Sequence, residues 1–216
     1  GSSNSGNWSY AGEVTYPFSY GLSYTTFTQT LDDVKVDLKA KTVTATVTVT
    51  NTGKTAGKDV AQLYVSTPYT DYDQKNKVEK SAVQLIGYEK TDLLDPGASQ
   101  KLTVTADAED MASWDSSFAN ASGTKGDYIL DAGTYSFSIG NGAHEAVNNI
   151  LASAGKTMTD GMTAEGNAQN VKTWNLDQMD STTFATTENG TAVENQMADA
   201  DLNYYMPDTV TYLSRS

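Results

Sequence analysis

Between about residue 31 and residue 140 the apolar side chains recur at every second position, a period that restricts this stretch to strands. Val34, Val36 and Leu38 alternate with Lys35, Asp37 and Lys39, and Val43, Ala45, Val47 and Val49 alternate with threonines at 42, 44, 46, 48 and 50. Successive strand side chains point to opposite faces, so each run has one buried and one wet face. Threonine suits the wet face, because its β-branch favours extended backbone and adds no apolar patch. The two runs are expected to form a hairpin, with Asn51-Thr52-Gly53 as the next turn. Further strands are predicted at Val60 to Val65, Val83 to Glu89, Gln100 to Thr105 and Thr134 to Gly140. Asp95-Pro96-Gly97 and Asp131-Ala132-Gly133 read as turns between them. Six or seven short strands with glycine-rich turns predict an all-β chain folded as a β-sandwich.

The pattern changes after Gly140. His144 to Ala152 carries Val147, Ile150 and Leu151 at helical spacing, with Gly155 placed to end it, which predicts a short helix on the sandwich edge. From Ala152 to Ser216 the chain has nine acids against three bases and few aliphatic residues, too few for a core of its own. It does carry Trp174, Phe184, Tyr204, Tyr205 and Tyr212, so it reads as an extended, loop-rich tail lying along an existing surface. Thr191-Ala192-Val193-Glu194 fits the capping box of a second short helix. The chain divides on this reading into a linker at 1–15, a sandwich at 16–151 and a tail at 152–216 that packs on the sandwich or on neighbouring domains.

Composition narrows the partners. Lys and Arg number 14 against 27 Asp and Glu, a net charge of −13, so nucleic acid and anionic membranes would be repelled. There is no cysteine, hence no disulfide, thiolate nucleophile or Cys-ligated metal. No apolar run approaches the roughly 20 residues of a membrane helix.

Tyr16-Pro17-Phe18-Ser19-Tyr20-Gly21-Leu22-Ser23-Tyr24-Thr25-Thr26-Phe27 resembles the opening segment of the fibronectin type III-like domain of glycoside hydrolase family 3 enzymes. The resemblance continues in order through Val47 to Gly53, Ala56 to Val65, Leu85 to Lys90, Leu94 to Gly97 and Asp131 to Tyr135, covering about residues 16–140. It implies a seven-stranded fibronectin type III-like sandwich. Asn195 to Tyr205 and Val210 to Ser216 resemble the extension found in β-glucosidases of permuted domain order. The resemblance therefore implies an internal, non-catalytic accessory domain whose partners are the catalytic domains of the same polypeptide, which would cleave terminal β-linked glucose with retention. An internal piece would carry no leader; a bacterial parent of this kind is expected in the cytoplasm.

The search for chemistry within the chain points the same way. Retaining hydrolysis needs two carboxylates about 5–5.5 Å apart. The family's nucleophile resembles a Ser-Asp-Trp motif, and its substrate-binding motif reads Lys-His-Phe or Lys-His-Tyr; neither string occurs here. Ser113-Trp114-Asp115 has the right letters in another order, so Asp115 reads as a loop acid and Trp114 as a core or edge anchor. His144 is the only histidine, which excludes a multi-histidine metal site. Asp199-Ala200-Asp201-Leu202-Asn203 starts like a calcium loop but lacks its glycine and distant glutamate, and Gly140-Asn141-Gly142 lacks the rest of a phosphate loop. No catalytic, metal-binding or cofactor-binding residue is assigned, and no cofactor is expected. Trp174, Tyr204 and Tyr205 are the candidate substrate-rim or interface aromatics, as sugar platforms or as pins for the tail. An oligosaccharide is a second candidate partner, under the alternative of a free-standing carbohydrate-binding or adhesive module.

Overall fold

The computed structural model describes residues 13–18, 21–75, 82–119, 125–185 and 211–212, with side chains at 24–75, 82–117 and 126–185. Its elements in chain order are β1 Glu13–Phe18, β2 Gly21–Asp37, β3 Thr42–Asn51, β4 Val60–Ser66, α1 Asp71–Lys75, β5 Gln84–Lys90 and β6 Ser99–Asp107. They continue with β7 Ser113–Ala119, β8 Lys125–Ile129, β9 Gly133–Ile139, α2 Ala143–Ser153, β10 Val171–Leu176 and β11 Thr211–Tyr212. One sheet has the order β1-β2-β3-β6, the other β11-β10-β9-β4-β5, and β7 and β8 form a separate ribbon. Every strand pairing is antiparallel. The expected sandwich is present, with eleven strands among the described residues rather than seven.

The core lies between the two sheets. Phe27 and Leu31 of β2, Val43 to Val49 of β3 and Leu102 and Val104 of β6 meet Leu63 and Val65 of β4, Tyr135, Phe137 and Ile139 of β9, and Trp174 and Leu176 of β10. In β3 half-buried and buried residues alternate along the whole strand, which is the threonine-out, valine-in pattern of the sequence. In β2 the inward set changes from odd to even numbers between Leu31 and Val34, because the pairing with β3 shifts there and Asp32 is the extra residue of a bulge. The Asp32 carboxylate accepts the Thr48 hydroxyl, so the extra residue is held from the neighbouring strand.

Two turns show why their residues are needed. Ala98 N–H donates to the Asp95 carbonyl at 2.9 Å, and Gly97 sits at φ +81°, as the third residue of a type II turn requires. At the end of β3 the buried Asn51 uses its whole side chain. Its amide donates to the carbonyls of Thr55 (2.8 Å) and Leu94 (2.9 Å), and its oxygen accepts from Gly53 N–H (2.9 Å) and the Thr25 hydroxyl (2.6 Å).

The predicted helix is α2, and Gly155 ends it at φ +76°. Gly155 N–H returns to the Ala152 carbonyl and Lys156 N–H to the Leu151 carbonyl, both at 3.0 Å, the pair of bonds of a Schellman motif. Its buried side is not the apolar stripe. Asn149 donates to the Ser138 hydroxyl (3.2 Å) and the Ile139 carbonyl (3.1 Å) and accepts Asn167 N–H (2.7 Å), while Asn148 exchanges two bonds with Thr163. Asparagines therefore fasten α2 to the outer face of β9 and to the loop beyond, and Val147, Ile150 and Leu151 are left half-buried.

The sequence reading has no strand after Gly140, yet Val171–Leu176 pairs with β9 along its whole length. Its ordering comes from tertiary partners. Asn170 accepts Leu31 N–H at 3.2 Å and donates to the Gln29 carbonyl at 3.1 Å, tying the start of β10 to β2 of the other sheet. The expected second helix at Thr191 to Glu194 lies outside the described residues.

Candidate functional site

Acidic side chains and tyrosines gather where α1, the β7–β8 ribbon and the start of β9 meet. Asp115 is buried in β7, directly opposite Asp127 of β8, so it is a strand residue and not the loop acid expected. Its carboxylate accepts the Tyr72 hydroxyl of α1, together with the Ser117 backbone N–H at 2.9 Å and the Ser117 hydroxyl at 2.7 Å. Burial, and then the Asp115 carboxylate, push the Tyr72 phenol up to about 12, so it stays protonated and donates. Thr70 N–H donates to Asp73 at 2.9 Å, and the Tyr135 hydroxyl donates to the Asp131 carbonyl at 2.7 Å. That last bond joins a tyrosine near the start of a strand to backbone four residues upstream, the corner found in immunoglobulin-like sandwiches.

This cluster does not have the makings of a hydrolytic pair. Asp115 and Asp127 are 0% and 1% exposed, whereas a nucleophile must reach its sugar. Among the described residues, no three acidic or histidine side chains are arranged to hold a metal ion. His144 stands exposed in the first turn of α2. What the cluster does chemically is tie the ribbon to α1 through the Tyr72–Asp115 bond, while the β8–β9 connection is held to the segment after β10, where Leu130 and Asp180 exchange two backbone bonds of 2.8 Å.

The sequence-derived aromatics fall in different places. Trp174 is 1% exposed, with its ring 5.1 Å from that of Tyr135, and Phe27 and Phe184 are also buried. Tyr204 and Tyr205 lie outside the described residues, and Trp174, expected as a rim or interface aromatic, is instead a core residue. Tyr24 of the opening segment is half-exposed. Beside α2, the half-buried Val147, Ile150 and Leu151 line a groove of about 380 Å³ with Ser66, Tyr69 and Val83. The outer face of edge strand β5 follows on from β4 with Leu85 and Tyr88 exposed, opposite Tyr64 and Gln62.

The family described as "Fibronectin type III-like domain" matches residues 59–143, from the start of β4 to the start of α2. This segment is a fibronectin type III-like domain. The domain is similar to part of Beta-glucosidase A of Butyrivibrio fibrisolvens, 41% identical over 148 residues, which covers 62% of this chain and 16% of that protein. It is also similar to part of a Beta-glucosidase of Ruminococcus albus, 37% identical over 133 residues, covering 62% of this chain and 13% of the relative. A solved beta-glucosidase from Paenibacillus barengoltzii superposes with a TM-score of 0.48 at 31% identity, covering 76% of this chain and 15% of that one. The chain thus spans about a sixth or less of the length of the relatives it matches. The part matched in each relative is a minor share of a longer protein, and within it residues 59–143 fit the fibronectin type III-like model.

Trp114 stands half-exposed on the β7–β8 ribbon, an edge position, whereas the α2 groove has no sequence signal beyond the spacing of Val147, Ile150 and Leu151. That spacing identifies an apolar stripe without saying whether it faces the sheet. The adjacent Asn148-Asn149 was the available clue, since two asparagines in a helix interior are costly unless they are bonded.

Proposed function

We propose that this chain is the accessory domain of a glycoside hydrolase family 3 β-glucosidase, an enzyme that removes terminal β-D-glucosyl residues, and that it buttresses the catalytic domains of its own polypeptide and shapes the rim of their active site. The observation that carries the reading is the inverted helix α2. It anchors itself through Asn148 and Asn149 and turns Val147, Ile150 and Leu151 to a groove of about 380 Å³. A helix normally buries its apolar stripe and wets its polar face, so the inversion is understandable where a neighbouring surface covers the stripe. The exposed Leu85 and Tyr88 extend the same side of the domain. The length of the relatives supports a neighbour within the same polypeptide, because most of each relative lies outside the matched part. The boundaries proposed for the support role keep the sequence reading's linker at 1–15 and sandwich from 16, but the sandwich takes in β10 as well, so only the rest of 152–216 is left to reach toward neighbouring domains.

The experiment is removal of this segment from the parent β-glucosidase. The expected result is a lower melting temperature of the remaining domains and loss of hydrolysis of an aryl β-glucoside, with partial recovery on adding the 216-residue chain in trans. Catalytic domains that keep their melting temperature and turnover without it would end the reading.

A further inference from the structure

We propose that the β7–β8 ribbon carries a stacking platform for a neutral pyranose, with the Trp114 indole as its floor. Trp114 is 47% exposed, on a strand whose next residue, Asp115, is fully buried. One face of the ring lies on Gly126 of β8. A Cβ at that position would stand 2.4 Å from Cζ2, 3.0 Å from Cη2 and 3.2 Å from Cε2 of the indole, and Gly126 is at φ +105°, where glycine is favoured. Tyr128, directly across from Trp114, makes a T-shaped contact with it, with ring centroids 5.0 Å apart and planes at 69°. Packed on Gly126 and against Tyr128, the ring still leaves about half of its surface to solvent. The indole is therefore held in place before any ligand arrives, and binding costs little ordering.

The exposed part of the ring selects its ligand by chemistry. An aromatic face is electron-rich and apolar, and a pyranose offers it a patch of C–H bonds while its hydroxyls point outward to water. Anionic ligands, including nucleic acid strands that also stack on aromatics, are opposed by the net charge of −13. A cation would be drawn by the ring and by the net charge of −13, so oligolysine is the competitor in the test, but the ribbon's own carboxylates, Asp115 and Asp127, are buried, with Asp115 engaged by Tyr72 and Ser117. The residues flanking Trp114 on β7 include Ser113 and the exposed Ser116, hydroxyl groups in place of aliphatic ones. The platform rests on the accessory-domain reading only for the choice of β-glucans as probe.

The test is affinity electrophoresis of the 216-residue chain through gels containing soluble mixed-linkage β-glucan, followed by titration calorimetry with cellopentaose. Wild type is expected to be retarded and to bind saturably at millimolar sugar. Trp114→Ala should weaken binding about tenfold or more, and Trp114→Phe, which keeps an aromatic face, should fall between the two. Circular dichroism and melting curves of both variants establish that they are folded. An unretarded wild type with no saturable heat, unchanged binding in Trp114→Ala, or preference for oligolysine over β-glucan would each overturn the proposal. Failure here leaves the buttressing reading intact, because that reading is decided by the stability of the parent enzyme without this domain.

Discussion

The Gln29 side-chain amide donates to the Asp59 carboxylate at 2.8 Å, and the bond spans the sandwich from β2 of one sheet to the residue just before β4 of the other. The same amide reaches the Val60 carbonyl at 2.9 Å, and Val60 N–H donates to the other Asp59 oxygen at 2.9 Å. Asp59 is 1% exposed, and burial raises its pKa from 3.8 to about 6, with the bonds from Gln29 and Val60 pulling the other way. A folded-state pKa above the unfolded value means that the folded chain holds the proton more tightly. The stability from this group is fully present below about pH 4 and is lost as pH rises through about 6, a loss of roughly 3 kcal/mol. Asp59→Asn removes the titration and keeps one acceptor. The difference in urea-unfolding free energy, wild type minus Asp59→Asn, should therefore fall by about 2–3 kcal/mol between pH 4 and pH 7. A difference that is flat across that range would refute a buried, ionising Asp59.

Two tryptophans should answer the same substitution differently. Trp174 is fully buried against Tyr135, so Trp174→Ala should cost about 3–5 kcal/mol in unfolding free energy. Trp114 is half-exposed on the ribbon, and Trp114→Ala should cost about 1 kcal/mol or less. Tyr135→Phe, which removes only the hydroxyl bonded to the buried Asp131 carbonyl, should fall between them at about 1–3 kcal/mol. Equal losses from the two tryptophans would contradict their placement.

Much of the sandwich was legible in the chain because β3 and the strands around it obey one rule from end to end: threonine to water and valine inward. Asn51 and Gly97 were equally plain, since each meets a local backbone requirement that few residues can meet. β10 was not legible. Val171, Lys172, Thr173 and Trp174 are all buried, so the alternation that marks a half-wet strand is absent, and even a lysine lies inside with its ammonium pKa lowered by burial against the pull of Asp32 and Asp33. The serine-rich β7 and glycine-bearing β8 read as loop, because their order comes from each other and from Tyr72 of α1, whose hydroxyl Asp115 accepts across a long sequence separation. Spacing exposed the stripe on α2 but could not give its direction, which depends on bonds from Asn149 to Ser138 and Ile139 of another element.

Gly53 and Gly142 test how closely chain segments approach. A Cβ at Gly53 would stand 2.2 Å from the Thr25 hydroxyl and 2.7 Å from the Thr26 backbone nitrogen, so the turn after β3 would have to move away from β2. Gly53→Ala should cost about 1–3 kcal/mol and disturb the Thr25–Asn51 bond. Gly142, before α2, has open space around its Cβ direction and extended backbone, so Gly142→Ala should change thermal unfolding little. Similar melting temperatures for the two variants would mean that β2 and the turn are not in contact.

The polarity of α2 leads to a prediction that separates folding from docking. If the helix is held by its asparagines, Asn149→Ala removes its bonds to the Ser138 hydroxyl, the Ile139 carbonyl and Asn167 N–H together and should cost about 1–3 kcal/mol in the isolated chain. Val147 and Ile150 are only half-buried, so serine at either should cost about 1 kcal/mol or less there. An ordinary amphipathic helix would give the opposite order. In the parent polypeptide the ranking should change, because a surface covering the groove would bury both side chains. Val147→Ser and Ile150→Ser should then lower the melting temperature of the whole enzyme by more than the isolated chain accounts for. Paired thermal unfolding of the same variants in the 216-residue chain and in the parent measures that excess directly, and its absence would mean that the groove faces water in both.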